Sequence, residues 1–368
     1  MERLMSQLVG NLRCYADVQV LGPFSDQEDT SAKEQRITRS RHNGLMGFAF
    51  DTVVSGIRLL RSHSYDVVIA GGSLMTPIAS VLGRLFGLPV VVNVHGLDLI
   101  YDHPAYQWMI RSLLPRCDRV FAISHAAKKE ACKRDVPPER VSVVHPGLDF
   151  SEFEIVPDVD HIKRHCGLQE RSILLSAGRL AKRKGLVEFV KYSLPAIVEE
   201  RPNTVFVIVG GNPTLSLTHK EDIESQIQFE ADQLGLENHV RMLGWIDRRD
   251  LVALYHVCDL FVLPAIQVPG DIEGFGIVLI EASAAGRPVV STKLGGITDA
   301  VEDGKSGILV EAGRWSELSD VILGLLADES ARREMGQFGR ERVQTEFDWP
   351  IVAGRYVEHL LHMLDVHH

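Results

Sequence analysis

No stretch of this sequence is both apolar and long. The run Pro89–Val94 is among the longest, far short of the roughly 20 residues that a membrane-crossing helix needs. Residues 1–21 lack the basic start and apolar core of an export signal. Cysteine is scarce. The five residues Cys14, Cys117, Cys132, Cys166 and Cys258 are odd in number and scattered, with no CxxC pair, so free thiols in a reducing cytosol are expected. Positive charge is short as well: 39 Lys and Arg face 49 Asp and Glu, a net charge of −10, which argues against nucleic acid as the main partner. Two glycine signatures are missing. The pairs Gly71-Gly72 and Gly210-Gly211 do not fit G-x-G-x-x-G, and G-x-x-x-x-G-K-[ST] does not occur, so dinucleotide dehydrogenases and P-loop kinases are set aside.

What is present is an ordinary globular composition, 45% hydrophobic and 24% charged, over 368 residues. That length suits two domains, each with its own core. Residues 1–149 carry 17 Lys and Arg against 15 Asp and Glu, and the remainder carries 22 against 34. The slightly basic first part includes "RITRSRH" (Arg36, Arg39, Arg41, His42), which suits a solvated charged face, or contact with anionic lipid or an anionic acceptor. Short apolar runs rich in branched residues alternate with helical patterns. Strands are expected at 17–21, 66–70, 89–94, 119–123 and 141–144, then at 172–177, 204–210, 240–244, 260–264, 288–292 and 307–310. Continuous apolar strands between helices predict parallel sheets covered on both faces. The series restarts after "HPGLDFSEF", where the polar segment "PDVDHIKRHCGLQER" reads as a linker, so two doubly wound α/β domains are expected to part near residues 148–170.

The stretch "GDIEGFGIVLIEASAAGRP" (270–288) is the most informative. It follows the strand "LFVLP" as a loop, and "IVLIEASAA" (277–285) opens a helix that Gly286 and Pro288 close. Backbone N–H groups of Gly276, Ile277 and Val278 at that N-terminus suit a phosphate. Gly274 and Gly276 allow close backbone approach, and Phe275 can anchor the loop in the core. Glu273 and Glu281 flank the phosphate position, and a carboxylate accepts the paired hydrogen bonds of a vicinal diol. On the pair alone, a helix cap and a surface glutamate remain an equal alternative.

These residues resemble the E-x7-E motif of retaining glycosyltransferases with the GT-B fold, in particular glycosyltransferase family 4. Other segments agree in order. "SAGRLAKRKG" (176–185) is similar to G-R-L-x-x-x-K-G, "VNVHGLDL" (92–99) to a His-Gly-x-Asp segment, and "GGITDAVEDGKSGILV" (295–310) to the loop after E-x7-E. "AIS" and "HPGLD" match the end of the family's first domain, and "FDW" (347–349) opens a last helix. The resemblance covers roughly residues 60–365. It implies two Rossmann-like domains facing a cleft: an acceptor-side domain at 1–150, a nucleotide-sugar domain at 151–346, and a final helix, 347–368, crossing back to the first domain. Arg179 and Lys184 would neutralise the donor diphosphate, Glu281 would hold the ribose hydroxyls and Glu273 the transferred sugar. Gly178, Gly274, Phe275, Gly276, Ile277 and Val278 would line sugar and phosphate. Ile246 would meet the base through backbone, and His95 would face the transferred sugar, although a histidine after a buried strand also suits a structural role. No metal or other cofactor is implied. "DVD" (158–160) reads as surface charge, and His161 with His165 lacks a third ligand.

The expected activity is hexosyl transfer from GDP-mannose, or from a UDP-hexose, to a hydroxyl of a lipid-linked or glycan acceptor. The expected place is the cytoplasm, with peripheral membrane contact at its inner face and no nucleic-acid partner. A nucleotide-sugar epimerase and a non-catalytic sugar-nucleotide-binding subunit are the alternatives. The family opens with a strand and a G-G-x-E loop, whereas this sequence opens on "MERLMSQLVGNLR" with Leu4, Leu8, Val9 and Leu12 on one helical face. A natural reading frame starting about 15–25 residues upstream, or else a weakened or inactive form of the protein, is therefore expected.

Overall fold

The computed structural model describes residues 2–23, 37–42, 44–212 and 221–367. The chain forms two compact units, Met1–Gly147 with Trp349–His368, and Leu148–Asp348. Among the described residues no helix is long and apolar enough to cross a membrane. All five cysteines are free thiols.

In the first unit, β3 (Val68–Ala70), β4 (Val90–Val94), β5 (Arg119–Ala122) and β6 (Val141–Val143) form a parallel sheet in that order. Alternation along the strands builds two cores. Val90, Val92 and Val94 face Leu99, Ile110, Leu114, Val120 and Ala122, while Val91 and Phe121 face Leu8, Leu12, Trp349, Val352 and Tyr356. Both faces of the sheet are therefore covered, as continuous valine strands require. The first helix, Glu2–Leu12, supplies Leu4, Leu8 and Leu12 to the second core. The last helix, Trp349–His367, is tied down by Tyr356, whose hydroxyl exchanges hydrogen bonds of 3.0 and 3.1 Å with the buried Asn93 amide.

Two strands, β1 (Val20–Gly22) and β2 (Ile37–Arg39), pair in parallel as a separate sheet. Among the described residues no strand joins β1 to β3. The second of this pair lies inside "RITRSRH", read above as surface charge. The β-branched Ile37 and Thr38 decide for a strand there, and Arg36 lies outside the described residues.

The second unit carries one parallel sheet of six strands, ordered β12-β11-β10-β7-β8-β9. These are β7 (Ser172–Ala177), β8 (Thr204–Val209), β9 (Val240–Gly244), β10 (Leu260–Leu263), β11 (Val289–Thr292) and β12 (Gly307–Val310). Leu174, Phe206, Ile208, Leu260, Val262, Val290 and Val310 pack beneath the helices on one face. The segment expected to be a linker is instead part of this unit. Residues Val159–Cys166 form a helix that packs on the helix Arg248–Val257. Asp158 caps it, Oδ1 accepting the His161 N–H at 3.0 Å. That accounts for the first Asp of "DVD", and Ile162 is the buried contact that polar composition concealed. His161 and His165 stack one turn apart with ring centroids 5.9 Å apart.

Candidate active site

From β7 the chain winds outward through β8 and β9, then returns to the other side of β7 to lay down β10, β11 and β12. The carboxyl ends of β7 and β10 therefore flank the point where strand order reverses, the place where open α/β sheets leave room for a ligand.

After β7, Gly178 takes φ +109°, and a Cβ there would lie 2.6 Å from the Lys184 Nζ. Glycine is thus the space into which Lys184 folds back. Its Nζ donates to the Ala177 carbonyl at 2.9 Å, and only 6% of the residue is exposed. Burial lowers its pKa from 10.5 to about 8, with Arg183 and Arg179 adding to the fall while Glu273 and Glu281 oppose it. A buried ammonium with one carbonyl partner is a poor structural device, but it is well placed to meet an arriving anion. Arg179 is exposed, and among the described residues no hydrogen bond or ion pair holds its guanidinium. Gly185 has φ +66°, and its Cβ would meet the Pro264 carbonyl oxygen at 2.0 Å. The Lys-Gly pair therefore locks the β7 turn onto the exit of β10.

The β10 exit runs from Pro264 to Gly276 and opens the helix Ile277–Ala284. No side chain caps that helix, and the first-turn N–H groups of any helix lack partners within it. Val278 sits beside Gly178. Phe275 is 2% exposed, with its ring 5.7 Å from that of Phe347. Its side chain is core, and only its backbone is at hand for a ligand. The loop is braced from behind by the Gly296 N–H, which donates to the Glu273 carbonyl at 2.9 Å.

The two glutamates occupy different settings. Glu273 Oε2 lies 3.2 Å from Arg183 Nε, off the line of a hydrogen bond, so the two buried atoms attract as charges and keep capacity for a hydroxyl. Arg183 also reaches Asp271 at 3.6 Å. Glu281 is buried with both oxygens engaged: Arg248 Nη1 donates to Oε1 at 2.7 Å and the Tyr255 hydroxyl to Oε2 at 2.8 Å. Arg248 binds Glu152 at 2.7 Å through the rest of its guanidinium. Burial first, and the Glu281 charge second, push the Tyr255 phenol well above 10, so it remains a donor. Glu281 is neither a cap nor a surface residue.

Ile246 follows β9, half-buried, beside Trp245, whose indole crowds Gly211 beyond β8. Gly178, Arg179, Lys184, Ile246 and residues 273–281 therefore gather at the carboxyl edge of four adjacent strands of one unit. His95 belongs to the other unit. Its Nε2 lies 3.0 Å from the Gly71 carbonyl, which can only accept, so Nε2 carries a proton. Asp98 fixes the turn, accepting from His95 N–H at 2.8 Å and from the Ser73 hydroxyl at 2.8 Å.

Sequence reading missed Arg183, Asp271, Arg248, Tyr255 and Glu152. Arg183 adjoins Lys184 and Asp271 lies in the quoted loop, so a charge count there could have raised both. Arg248 and Tyr255 lie 33 and 26 residues from Glu281, and no local pattern links them.

Two α/β units, each built on a parallel sheet, one of which gathers cations and paired acids at the reversal of its strand order, define the fold. Comparison with known proteins agrees. Residues 2–152 match the family model Glycosyltransferase Family 4 and residues 159–342 the model Glycosyl transferases group 1. The chain is 28% identical over 341 residues to the GDP-mannose-dependent alpha-(1-6)-phosphatidylinositol monomannoside mannosyltransferase of Mycolicibacterium smegmatis, covering 91% of this chain and 86% of that protein. It is 31% identical over 306 residues to D-inositol 3-phosphate glycosyltransferase 1 of Catenulispora acidiphila, covering 79% and 71%. Anabaena HepE in complex with UDP and glucose shares the fold with a TM-score of 0.78 at 22% identity, over 97% of this chain and 95% of that one. The chain belongs to the family 4 type of GT-B glycosyltransferases.

Proposed function

We propose that this glycosyltransferase is a retaining hexosyltransferase, with GDP-mannose as first donor and a UDP-hexose as second, acting on a hydroxyl of a lipid-linked or glycan acceptor in envelope or exopolysaccharide synthesis. The single observation that carries the reading is the buried Lys184 beside exposed Arg179 at the β7–β10 reversal, facing an uncapped helix N-terminus. The donor diphosphate lies there. Arg179, Lys184 and the N–H groups of Gly276, Ile277 and Val278 take up the charge that grows on the leaving phosphate. Glu273, steadied by Arg183, accepts from hydroxyls of the transferred sugar, and Glu281, steadied by Arg248 and Tyr255, from the ribose. Gly274 and the Phe275 backbone line the sugar, and Ile246 the base.

In this reading the bond between the anomeric carbon and the phosphate oxygen breaks ahead of attack. The acceptor oxygen arrives on the same face, and the leaving phosphate oxygen takes its proton, so configuration is retained. Charge neutralisation by side chains makes a metal dispensable. The mannose choice is supported by the GDP-mannose dependence that the M. smegmatis relative's name states.

The test is a panel of radiolabelled nucleotide sugars, assayed for binding, slow hydrolysis and transfer, with and without EDTA. Transfer is expected to survive EDTA and to fall at least ~100-fold in Arg179→Ala. Near-normal turnover in that variant contradicts the assignment. Conversion of the donor without an acceptor identifies an epimerase, and binding without either reaction a non-catalytic subunit.

A further inference from the structure

Three helices of the first unit lie side by side: Leu45–Ser62 packs on Thr76–Phe86, and that helix packs on Pro104–Leu113. Their inner faces are conventional, with Gly56 seated against Leu82. Their outer faces are not. Along Leu45–Ser62 the exposed positions recur every fourth residue as Met46, Phe50, Val54 and Arg58, with Met46 85% and Phe50 66% exposed. Val81 and Leu85 stand out from the second helix and Trp108, 72% exposed, from the third. Single exposed apolar residues need no explanation, but a run of them across adjacent helices marks an interaction surface.

The charge on these helices selects the partner. They carry Arg58, Arg61 and Arg84, together with Arg111, which pairs with the neighbouring Asp135 at 3.6 Å, against a single acid of their own, Asp51, in a chain whose net charge is −10. That acid is spent internally: Asp51 Oδ2 accepts from the Ser40 hydroxyl at 2.8 Å and the Arg41 N–H at 2.7 Å, and pairs with His42 at 2.9 Å. The turn so formed adds exposed Arg41 and His42, the latter against Gly47 in the first turn of the helix. Apolar side chains bordered by arginines, with no free acid among them, fit a surface that offers acyl chains between phosphates.

We infer that the outer face of these three helices docks the enzyme on an anionic lipid bilayer, with Met46 and Phe50 entering the headgroup boundary and Arg41, Arg58 and Arg61 meeting lipid phosphates. The inference rests on the lipid-linked acceptor reading for its purpose, while its surface is argued from exposure and charge alone.

The experiment is flotation of the full chain with vesicles of phosphatidylcholine, alone or mixed with phosphatidylglycerol, alongside transfer to a water-soluble acceptor. Binding is expected only with phosphatidylglycerol and is expected to weaken with salt. Phe50→Ser should lower partitioning about 10-fold, and removing both charges in R58Q/R61Q at least ~10-fold. Thermal melts should be unchanged, since these side chains are exposed. Absence of binding, or binding indifferent to both variants, overturns the surface. So does concentration-dependent self-association that Phe50→Ser abolishes, because the face is then an interface between copies. Transfer to the soluble acceptor without vesicle binding refutes the surface and leaves the transferase reading intact. Vesicle binding without transfer does the reverse.

Discussion

Lys184→Met should make the resting protein more stable while it abolishes transfer. The ammonium is buried with one hydrogen bond, to the Ala177 carbonyl. A pKa lowered from 10.5 to about 8 corresponds to about 3 kcal/mol of disfavoured charge at neutral pH, at roughly 1.4 kcal/mol per unit. Methionine fills nearly the same volume without a charge. Loss of the hydrogen bond leaves the Ala177 carbonyl unpaired and takes back about 1 kcal/mol. A net gain of about 1–3 kcal/mol is therefore expected, or roughly 2–10 °C in Tm for a unit of this size. Differential scanning calorimetry without donor reads the stability, and radiolabelled transfer reads the activity, which should fall at least ~100-fold. A variant that melts below the native protein refutes the claim that this lysine is held at a cost for an anionic ligand.

The same group predicts the pH dependence. Because the folded-state pKa lies below the unfolded value, the unfolded chain binds more protons between pH 8 and 10.5; stability of the native protein relative to Lys184→Met should rise across that window. Donor affinity should fall as pH passes 8, and calorimetric titration at several pH values checks the sign. Tyr255→Phe removes one of two donors to the buried Glu281. It should cost about 1–3 kcal/mol in a denaturant melt and raise the donor KM more than it lowers kcat. Gly185→Ala places a Cβ 2.0 Å from the Pro264 carbonyl at φ +66°. Strain of order 1–3 kcal/mol should lower the melting point and displace the loop that carries Glu273, a change visible by hydrogen exchange in residues 265–276.

Much of the fold was legible because parallel strands buried on both faces advertise themselves. Val90–Val94 and Ser172–Ala177 need no partner to be recognised, only continuous branched apolar residues between helices. The strand Ile37–Arg39 was hidden because three residues flanked by arginines look like a charged turn, and the helix Val159–Cys166 because it buries only Ile162. At the site, residues within one turn of chain could be grouped by reading: Glu273 to Glu281, and Arg179 with Lys184. What reading could not supply was their company. That Arg183 faces Glu273, and that Arg248 and Tyr255 hold both oxygens of Glu281, depends on how β10, β7, β8 and β9 lie side by side. Phe275 could be read as an anchor of the loop in the core, and it packs there against Phe347, which leaves its backbone to line a ligand.

The central claim is that the donor diphosphate binds at the β7–β10 reversal of the second unit and is neutralised by side chains. A crystal structure of the full chain with GDP-mannose, grown in EDTA, tests it most directly. The account predicts the diphosphate within hydrogen-bonding distance of the Arg179 guanidinium and the Lys184 Nζ, capped by the N–H groups of Ile277 and Val278, with no ion between the phosphates. A donor bound elsewhere, or Lys184 still turned to the Ala177 carbonyl with the phosphates out of reach, contradicts it.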